Sequence, residues 1–400
     1  MATELDKLTA FFKSYSTTED QLDFKMADEN LGQKIPAIST GSIALDDALG
    51  CGGLPEGRII QFYGKPSSGK SMMAYLSMKE AQKQSRTAKQ LFIDAEQTFN
   101  AEWATILGLD TSRVVVVDGD TAVNGRLCFE MLLGIPKEDA KHILKGKSKQ
   151  GFLDLCASGE LDFNMIVLDS LGAIIPPIED VAAVGKHNMS PLARFLSTTF
   201  KKLSLEVSKT KLPFVVINHI RSSLDAYGPD HTFAGGNSYS HFLSANIYFQ
   251  QVNRADAKIL DEKENKVGST ISATIEKSKF GAFPRKCEYR VDFSSGIIDQ
   301  QLEIAQLALD YNIVLKPTSV SHEFGDRKWV GFGKFCDAIK DDPILAQELI
   351  QKVDETRLAK WEKLRNEQVE KRIASNLILD QQEPVSEEQE TKKKKKEKNV

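Results

Sequence analysis

The sequence predicts an α/β protein built on a mainly parallel central sheet, and three observations predict it. Gly64 to Ser71 reads GKPSSGKS, a complete G-x-x-x-x-G-K-[ST] phosphate loop, set between an apolar strand-like run (Arg58–Tyr63) and a helix-competent run (Ser71–Gln84). Strand-like and helical stretches alternate through residues 35–298, the pattern of a doubly wound sheet. Two apolar runs, Gln90–Glu96 and Met165–Ser170, contain acids at their carboxyl ends, the edge where open α/β sheets gather ligands.

Taken in order, residues 1–34 offer a short amphipathic helix, with Leu5, Leu8 and Phe12 spaced i, i+3, i+7, then an alternating stretch with Leu22, Phe24 and Met26 on one face. So small a segment cannot fold alone, and it is expected to pack on its own core or on a neighbouring subunit. Within 35–298 the expected strands after the phosphate loop are Gln90–Glu96, Val114–Asp118, Met165–Ser170, Phe214–His219, Ala245–Gln251, Thr270–Ile275 and Glu288–Phe293. The later ones follow one another closely across polar turns, as in an antiparallel extension. A smaller α/β patch is expected at 299–345, and a charged helix from there to about Asn376 completes a small C-terminal domain, 299–376. Residues 377–400, rich in Glu and Gln and ending in Lys392–Lys396 and Lys398, have the composition of a disordered tail.

With 400 residues, 41% of them hydrophobic, the chain can bury one large core and a small additional one. No apolar run reaches the length of a membrane span, and the polar N-terminus is unlike a signal peptide, so no membrane partner and a cytoplasmic location are expected. Cys51, Cys128, Cys156, Cys287 and Cys336 are scattered, with no C-x-x-C pair. They read as reduced packing residues, not as a disulfide frame or a zinc site. A net charge of −4 gives no global attraction to nucleic acid, so DNA contact would need a local basic stripe.

The motif residues have the chemistry a nucleotide needs. In Gly64-Lys65-Pro66-Ser67-Ser68-Gly69-Lys70-Ser71 the glycines let successive N–H groups turn into one concavity around phosphate oxygens. Lys70 adds a point charge for the β/γ-phosphates, and Ser71 offers a hydroxyl to Mg²⁺. Asp169 is placed to orient that ion, and Glu96 to polarise the water that attacks the γ-phosphate. Either acid could instead be a strand-end carboxylate capping the next helix. Farther on, Arg194 and Lys201 fall seven residues apart on one helix face, which suits consecutive phosphates of one strand or a solvated surface. Lys277 and Lys279 alternate on one side of a strand end, where two unpaired ammoniums would call for an anion between them.

Ile38-Ser39-Thr40-Gly41-Ser42 with Leu45-Asp46, then Gly52-Gly53-Leu54-Pro55-Glu56-Gly57-Arg58-Ile59, the phosphate loop and Phe92-Ile93-Asp94-Ala95-Glu96 follow one another as in the RecA recombinase family. The chain resembles that family from about Ile38 to Glu355. The resemblance implies a RecA-like ATPase core using ATP and Mg²⁺, polymerised through the N-terminal segment into a helical filament on single-stranded DNA. It implies DNA-stimulated ATP hydrolysis, homologous pairing and strand exchange with double-stranded DNA, and a mediator or single-strand-binding protein as a possible loading partner. By the same resemblance Asn100 and Trp103 hold adenine. Pro176-Pro177, Gly185 and Met189 mark a first DNA-binding loop. A second loop opens at Asn218-His219-Ile220-Arg221 and runs through Tyr227 to Gly235-Gly236-Asn237. Lys277 and Lys279 reach a neighbouring subunit's ATP, and Phe293 covers that neighbour's adenine.

Three departures qualify the resemblance. His219 stands where bacterial members have a glutamine that senses the γ-phosphate. The Ile217-Asn218-His219 run is similar to the phage UvsX type, which favours a phage branch and the host cytoplasm as its location. After Gly235-Gly236 the chain offers Ser240 or His241 in place of a lysine, and a lysine block ends the chain in place of an acidic tail. Two rival readings share the ATPase residues: a ring-forming helicase or translocase, and a non-catalytic mediator. The alternation at Leu22–Met26 and the Lys277/Lys279 pair favour the filament. Intact Lys70, Ser71, Glu96 and Asp169 argue against the mediator.

Overall fold

The computed structural model describes residues 35–135, 149–180, 191–222, 231–236, 238–254, 257–280, 285–357, 359 and 363. The expectations placed on 1–34, on Gly185, Met189, Tyr227 and Asn237, and on the tail from 364 fall outside these residues. Ile35–Val353 form one compact unit, which ends before Asp354.

Among the described residues, eleven strands make one sheet. They are β1 (Ile59–Gly64), β2 (Lys89–Asp94), β3 (Val114–Val117), β4 (Phe163–Asp169), β5 (Phe214–Ser222), β6 (His231–Phe233), β7 (Ala245–Gln251), β8 (Lys258–Leu260), β9 (Lys266–Ser278), β10 (Arg285–Asp292) and β11 (Gly296–Ile298). The main path runs β11-β10-β9-β7-β1-β5-β4-β2-β3, with β8 on β9 and β6 on β5. From β7 to β3 neighbours are parallel; from β7 outward to β11 they are antiparallel. The parallel core and its antiparallel extension are those the spacing predicts. Strand β9 extends well beyond the expected Thr270–Ile275.

The central strands read as continuous apolar runs because both faces are covered. On β4, Met165 and Val167 join one buried cluster while Ile166 and Leu168 join the other, and β5 divides Val215 and Ile217 from Phe214 and Val216 in the same way. On one face lies α2 (Lys70–Gln84), with Met72, Met73, Leu76 and Met78 buried. On the other lies α4 (Pro191–Lys209), with Leu196, Phe200, Leu203 and Val207 buried. Two further helices matter below: α1 (Ile43–Leu49) and α3 (Ala101–Ile106).

A third, smaller core lies under α5 (Gln300–Asp310) and α6 (Phe332–Asp341), around Ile304, Ala308, Phe335 and Ile339. It belongs to the same compact unit as the sheet. Glu303 of α5 accepts from the Ser42 hydroxyl (2.7 Å) and the Ala44 N–H (2.9 Å), and the Tyr311 hydroxyl donates to Asp47 (2.6 Å). All five cysteines are free, with Cys128 and Cys336 buried. Among the described residues no helix is long and apolar enough to cross a membrane.

Candidate functional site

The phosphate loop leaves β1 and opens α2. Gly64 has φ +155°, and a Cβ there would lie 2.3 Å from the Phe249 carbonyl oxygen on β7, so no other residue fits without moving backbone. Gly69, at φ +93°, is the N-cap of α2. Between them Lys65, Pro66 and Ser67 are exposed, whereas Ser68 is buried, its hydroxyl without a partner among the described residues. Gln251 on β7 donates to the Ser67 carbonyl (2.6 Å) and fixes the crest of the loop.

Lys70 is 4% exposed, and its ammonium donates to the Lys65 carbonyl (2.9 Å) and the Gly64 carbonyl (3.3 Å). Burial lowers its pKa, while Asp169 and Glu96 pull the other way. The Ser71 hydroxyl donates to Asp169 at 2.7 Å. Burial pushes the Asp169 carboxyl up to about 6, against the pull of that hydrogen bond. A hydroxyl beside a carboxylate is a hard oxygen pair of the kind Mg²⁺ takes.

Strand register brings the remaining groups to the same edge. Asp94 lies opposite Asp169, and Gly64 opposite His219. Asp94 accepts the N–H groups of Thr98 (3.0 Å) and Phe99 (2.8 Å), which folds the chain back after β2. The Glu96 N–H donates to the Asp169 carbonyl (3.1 Å). Its carboxylate accepts from the Ser170 hydroxyl and pairs with His219 Nε2 at 2.9 Å. These bonds, His219's foremost, hold the Glu96 carboxyl below its ordinary pKa although burial opposes them. Ligand atoms of Glu96, Asp169 and His219 lie within 4.8 Å of one another. Together with the cradle, the desolvated ammonium and the orphaned Ser68 hydroxyl, this donor set fits a nucleotide phosphate carrying a divalent cation.

Comparison with known proteins agrees with this geometry. The family model of the RecA N-terminal domain matches residues 20–135 and 150–298. Protein RecA of Arthrobacter sp. (strain FB24) is 30% identical over 322 residues, 80% of this chain and 82% of its own. Protein RecA of Wolbachia sp. subsp. Drosophila simulans (strain wRi) is 34% identical over 270 residues, 67% of each chain. The chain belongs to the RecA family. A mitochondrial relative, DNA repair protein recA homolog 3 of Arabidopsis thaliana, is 28% identical over 331 residues, 82% of this chain and 69% of its own. These relatives are bacterial and mitochondrial, so they lend no support to the expected phage branch.

The other residues that the RecA resemblance singles out divide into several groups. Asn100 caps α3, its side-chain oxygen accepting the Trp103 N–H at 2.8 Å. Trp103 is half-buried, packs edge-on against Tyr75 (5.4 Å between centroids) and donates its indole N–H to the Phe293 carbonyl (2.7 Å). Phe293 itself is 36% exposed, with the Lys266 ammonium 5.9 Å from its ring centroid. Trp103 and Phe293 are therefore neighbours within one chain. Arg194 and Lys201 fall on the solvent side of α4, in an exposed stripe with Thr198 and Leu205. Gly235 (φ +85°) and Gly236 (φ +68°) turn against the start of that helix, where a Cβ on Gly235 would lie 2.4 Å from Leu196 Cδ1. Arg221 lies on β5, while Met189 and Tyr227 belong to the undescribed segments.

One expectation is corrected. Lys277 is not unpaired: its ammonium donates to the Ser240 carbonyl at 2.7 Å. The pairing of β9 with β7 shifts register between Ile275 and Lys277, and β9 ends at Ser278, with exposed Lys279 just beyond. Burial, then Lys279, lowers the Lys277 pKa.

The sequence reading also missed residues. Ser170 and Asp94 are adjacent to, or two residues from, acids it singled out. Gln61 and Tyr239 form a buried hydrogen-bonded group with Asn218, which was expected to open the second DNA loop and instead lies within β5. Its only sequence signal is an amide inside each of two apolar runs, Ile59-Ile60-Gln61-Phe62-Tyr63 and Val215-Val216-Ile217-Asn218.

Proposed function

We propose that this RecA-family protein is an ATP-dependent DNA recombinase that assembles as a helical filament on single-stranded DNA, pairs it with homologous duplex and exchanges strands. The observation that carries the reading is the convergence of Lys70, Ser71, Asp169, Glu96 and His219 on one sheet edge beside a phosphate loop. Ser71 and Asp169 would hold Mg²⁺, which when bound neutralises charge on the phosphates. Lys70, stripped of water and anchored to its own loop, supplies the fixed positive charge. Glu96, kept ionised by Ser170 and His219, orients the attacking water and accepts its proton. His219 touches both the strand beside the loop and Glu96, so loss of the γ-phosphate changes what lies beside it.

Several further assignments belong to this reading. Asn100 and Trp103 take the adenine with Phe293 beside Trp103 in the same chain, which replaces the expected cover of a neighbour's adenine, while Lys277 and Lys279 face the ATP of a neighbouring subunit. Arg194, Lys201, Gly235 and Gly236, with Met189, Arg221 and Tyr227, line the DNA. Residues 1–34 join subunits, 299–376 form the C-terminal domain, and the 377–400 tail is charged. A phage UvsX-type origin rests on Ile217-Asn218-His219 alone. The names of the relatives, RecA and a DNA repair protein, support recombination and repair; a cytoplasmic location and a mediator or single-strand-binding protein as loading partner are part of the same proposal.

Negative-stain electron microscopy with single-stranded DNA and a non-hydrolysable ATP analogue tests this. Long helical filaments are expected. Closed rings would sink the recombinase reading in favour of a translocating motor, and isolated particles in favour of a mediator.

A further inference from the structure

Tyr239 has no part in the reaction outlined above, yet it is fully buried at the junction of the elements that reaction uses. It lies in the short helix Ser238–Phe242, just after Gly235-Gly236. Its hydroxyl donates to Gln61 on β1 and accepts from the Asn218 amide on β5 at 2.7 Å. Gln61 in turn donates to Asn246 on β7 (2.8 Å), and Asn218 donates to the Ala234 carbonyl (3.1 Å). Gln61, Asn218 and Tyr239 are all 0% exposed, and Asn246 is 6% exposed.

Each branch leads to a different functional element. Gln61 and Asn218 stand on the strands that end in Gly64 and His219. Ala234 directly precedes the Gly235-Gly236 turn. The Tyr239 ring packs on Phe200 of α4 at 5.1 Å, the helix that presents Arg194 and Lys201. The next residue, Ser240, gives its carbonyl to Lys277. A phenylalanine would fill the same space, so packing alone does not call for the oxygen. A buried hydroxyl shared by two amides requires all three groups to stay in register, because any that separates is left unsatisfied away from water.

We infer that Tyr239 is a positioning residue which carries the nucleotide state of the β1/β5 edge to the Gly235-Gly236 turn and α4. This rests on the recombinase reading and specifies how its nucleotide and DNA sites communicate.

The test uses the full chain with Tyr239→Phe, and with Gln61→Met as a second variant that keeps the tyrosine ring. ATP turnover without DNA is measured, together with the Kd for single-stranded DNA in the presence of a non-hydrolysable ATP analogue and of ADP. DNA-free turnover should stay within about twofold of wild type, while the ratio of the two DNA affinities falls at least about fivefold toward unity. A ratio unchanged from wild type in both variants overturns the inference and leaves the recombinase reading standing. A wild-type protein whose DNA affinity ignores the nucleotide overturns both. If thermal melting shows that Tyr239→Phe is unfolded, Gln61→Met decides by the same ratio.

Discussion

Asp169 and Glu303 are both buried carboxylates, 3% and 5% exposed, and each accepts a serine hydroxyl at 2.7 Å, from Ser71 and Ser42 respectively. Burial raises both, Asp169 to about 6 and Glu303 to about 7. What else surrounds them differs. Asp169 has the Lys70 ammonium within electrostatic reach and shares its neighbourhood with Glu96 and His219. Glu303 faces the Ala44 N–H and the like charge of Asp46, and its second oxygen has no partner among the described residues. One carboxyl sits in a constellation of unlike groups at the end of a strand. The other fastens α5 to α1. A raised carboxyl alone does not mark a site; the company of a cation, a second acid and an imidazole does.

The largest expected effect sharpens that contrast from the side of the site. Lys70→Ala should lower ATP turnover on saturating single-stranded DNA by about 10²–10³-fold, the scale of losing one preorganised charge-stabilising group. Glu96→Gln should lower it by about 10²–10⁴-fold while nucleotide still binds. Turnover unchanged in Glu96→Gln would remove it as the base.

From the side of the fastening, Glu303→Gln should leave turnover alone and change the pH dependence of stability. Burial raises the folded-state pKa from the ordinary 4.5 to about 7. The folded protein therefore keeps a proton that the unfolded chain releases. That stabilisation is full below 4.5 and is lost as pH rises through about 7. Urea unfolding should show the glutamine variant gaining on wild type between pH 5 and pH 8, by on the order of 3 kcal/mol. If the two proteins keep a constant difference, Glu303 is not held neutral and the contrast with Asp169 collapses.

The division between legible and hidden features follows the same line. Lys70, Ser71 and Asp169 were readable because each lies in a local pattern, a phosphate loop or an acid closing an apolar strand, and Glu96 because it follows such a strand, although β2 ends two residues earlier at Asp94. The sheet was readable because its strands are short apolar runs between turn residues. The restraint of Glu96 was not, since Ser170, just past the end of β4, and His219 on β5 lie 74 and 123 residues away. The Tyr239–Gln61 bond spans 178 residues, and Glu303 meets Ser42 across 261. The tie from Lys277 goes to a main-chain carbonyl, which no side-chain pattern announces. Register and main-chain partners are products of the assembled fold, and they were the parts that could not be read in advance.

The paired glycines test how tightly the turn beside Tyr239 is held. Gly235→Ala combines φ +85° with a Cβ 2.4 Å from buried Leu196, whereas Gly236→Ala combines φ +68° with an ordinary 3.4 Å approach to Ala193. The first should destabilise by about 2 kcal/mol and the second by about 1 kcal/mol, measured by urea unfolding. Equal costs would mean that Leu196 yields freely and that the turn is not pinned to α4.

The smallest effect separates cations that are used from cations that are fastened. Arg194 and Lys201 are exposed on α4, while Arg290 is paired with Asp299 at 2.5 Å. If the first two meet single-stranded DNA, each alanine variant removes one phosphate contact and lowers the slope of log affinity against log salt by about 0.7. Arg290→Ala should leave that slope unchanged, because its charge is already neutralised by a carboxylate, and should show its loss in stability alone. A slope that ignores Arg194 and Lys201 would reduce their stripe to a solvated helix face and move the DNA path elsewhere on the molecule.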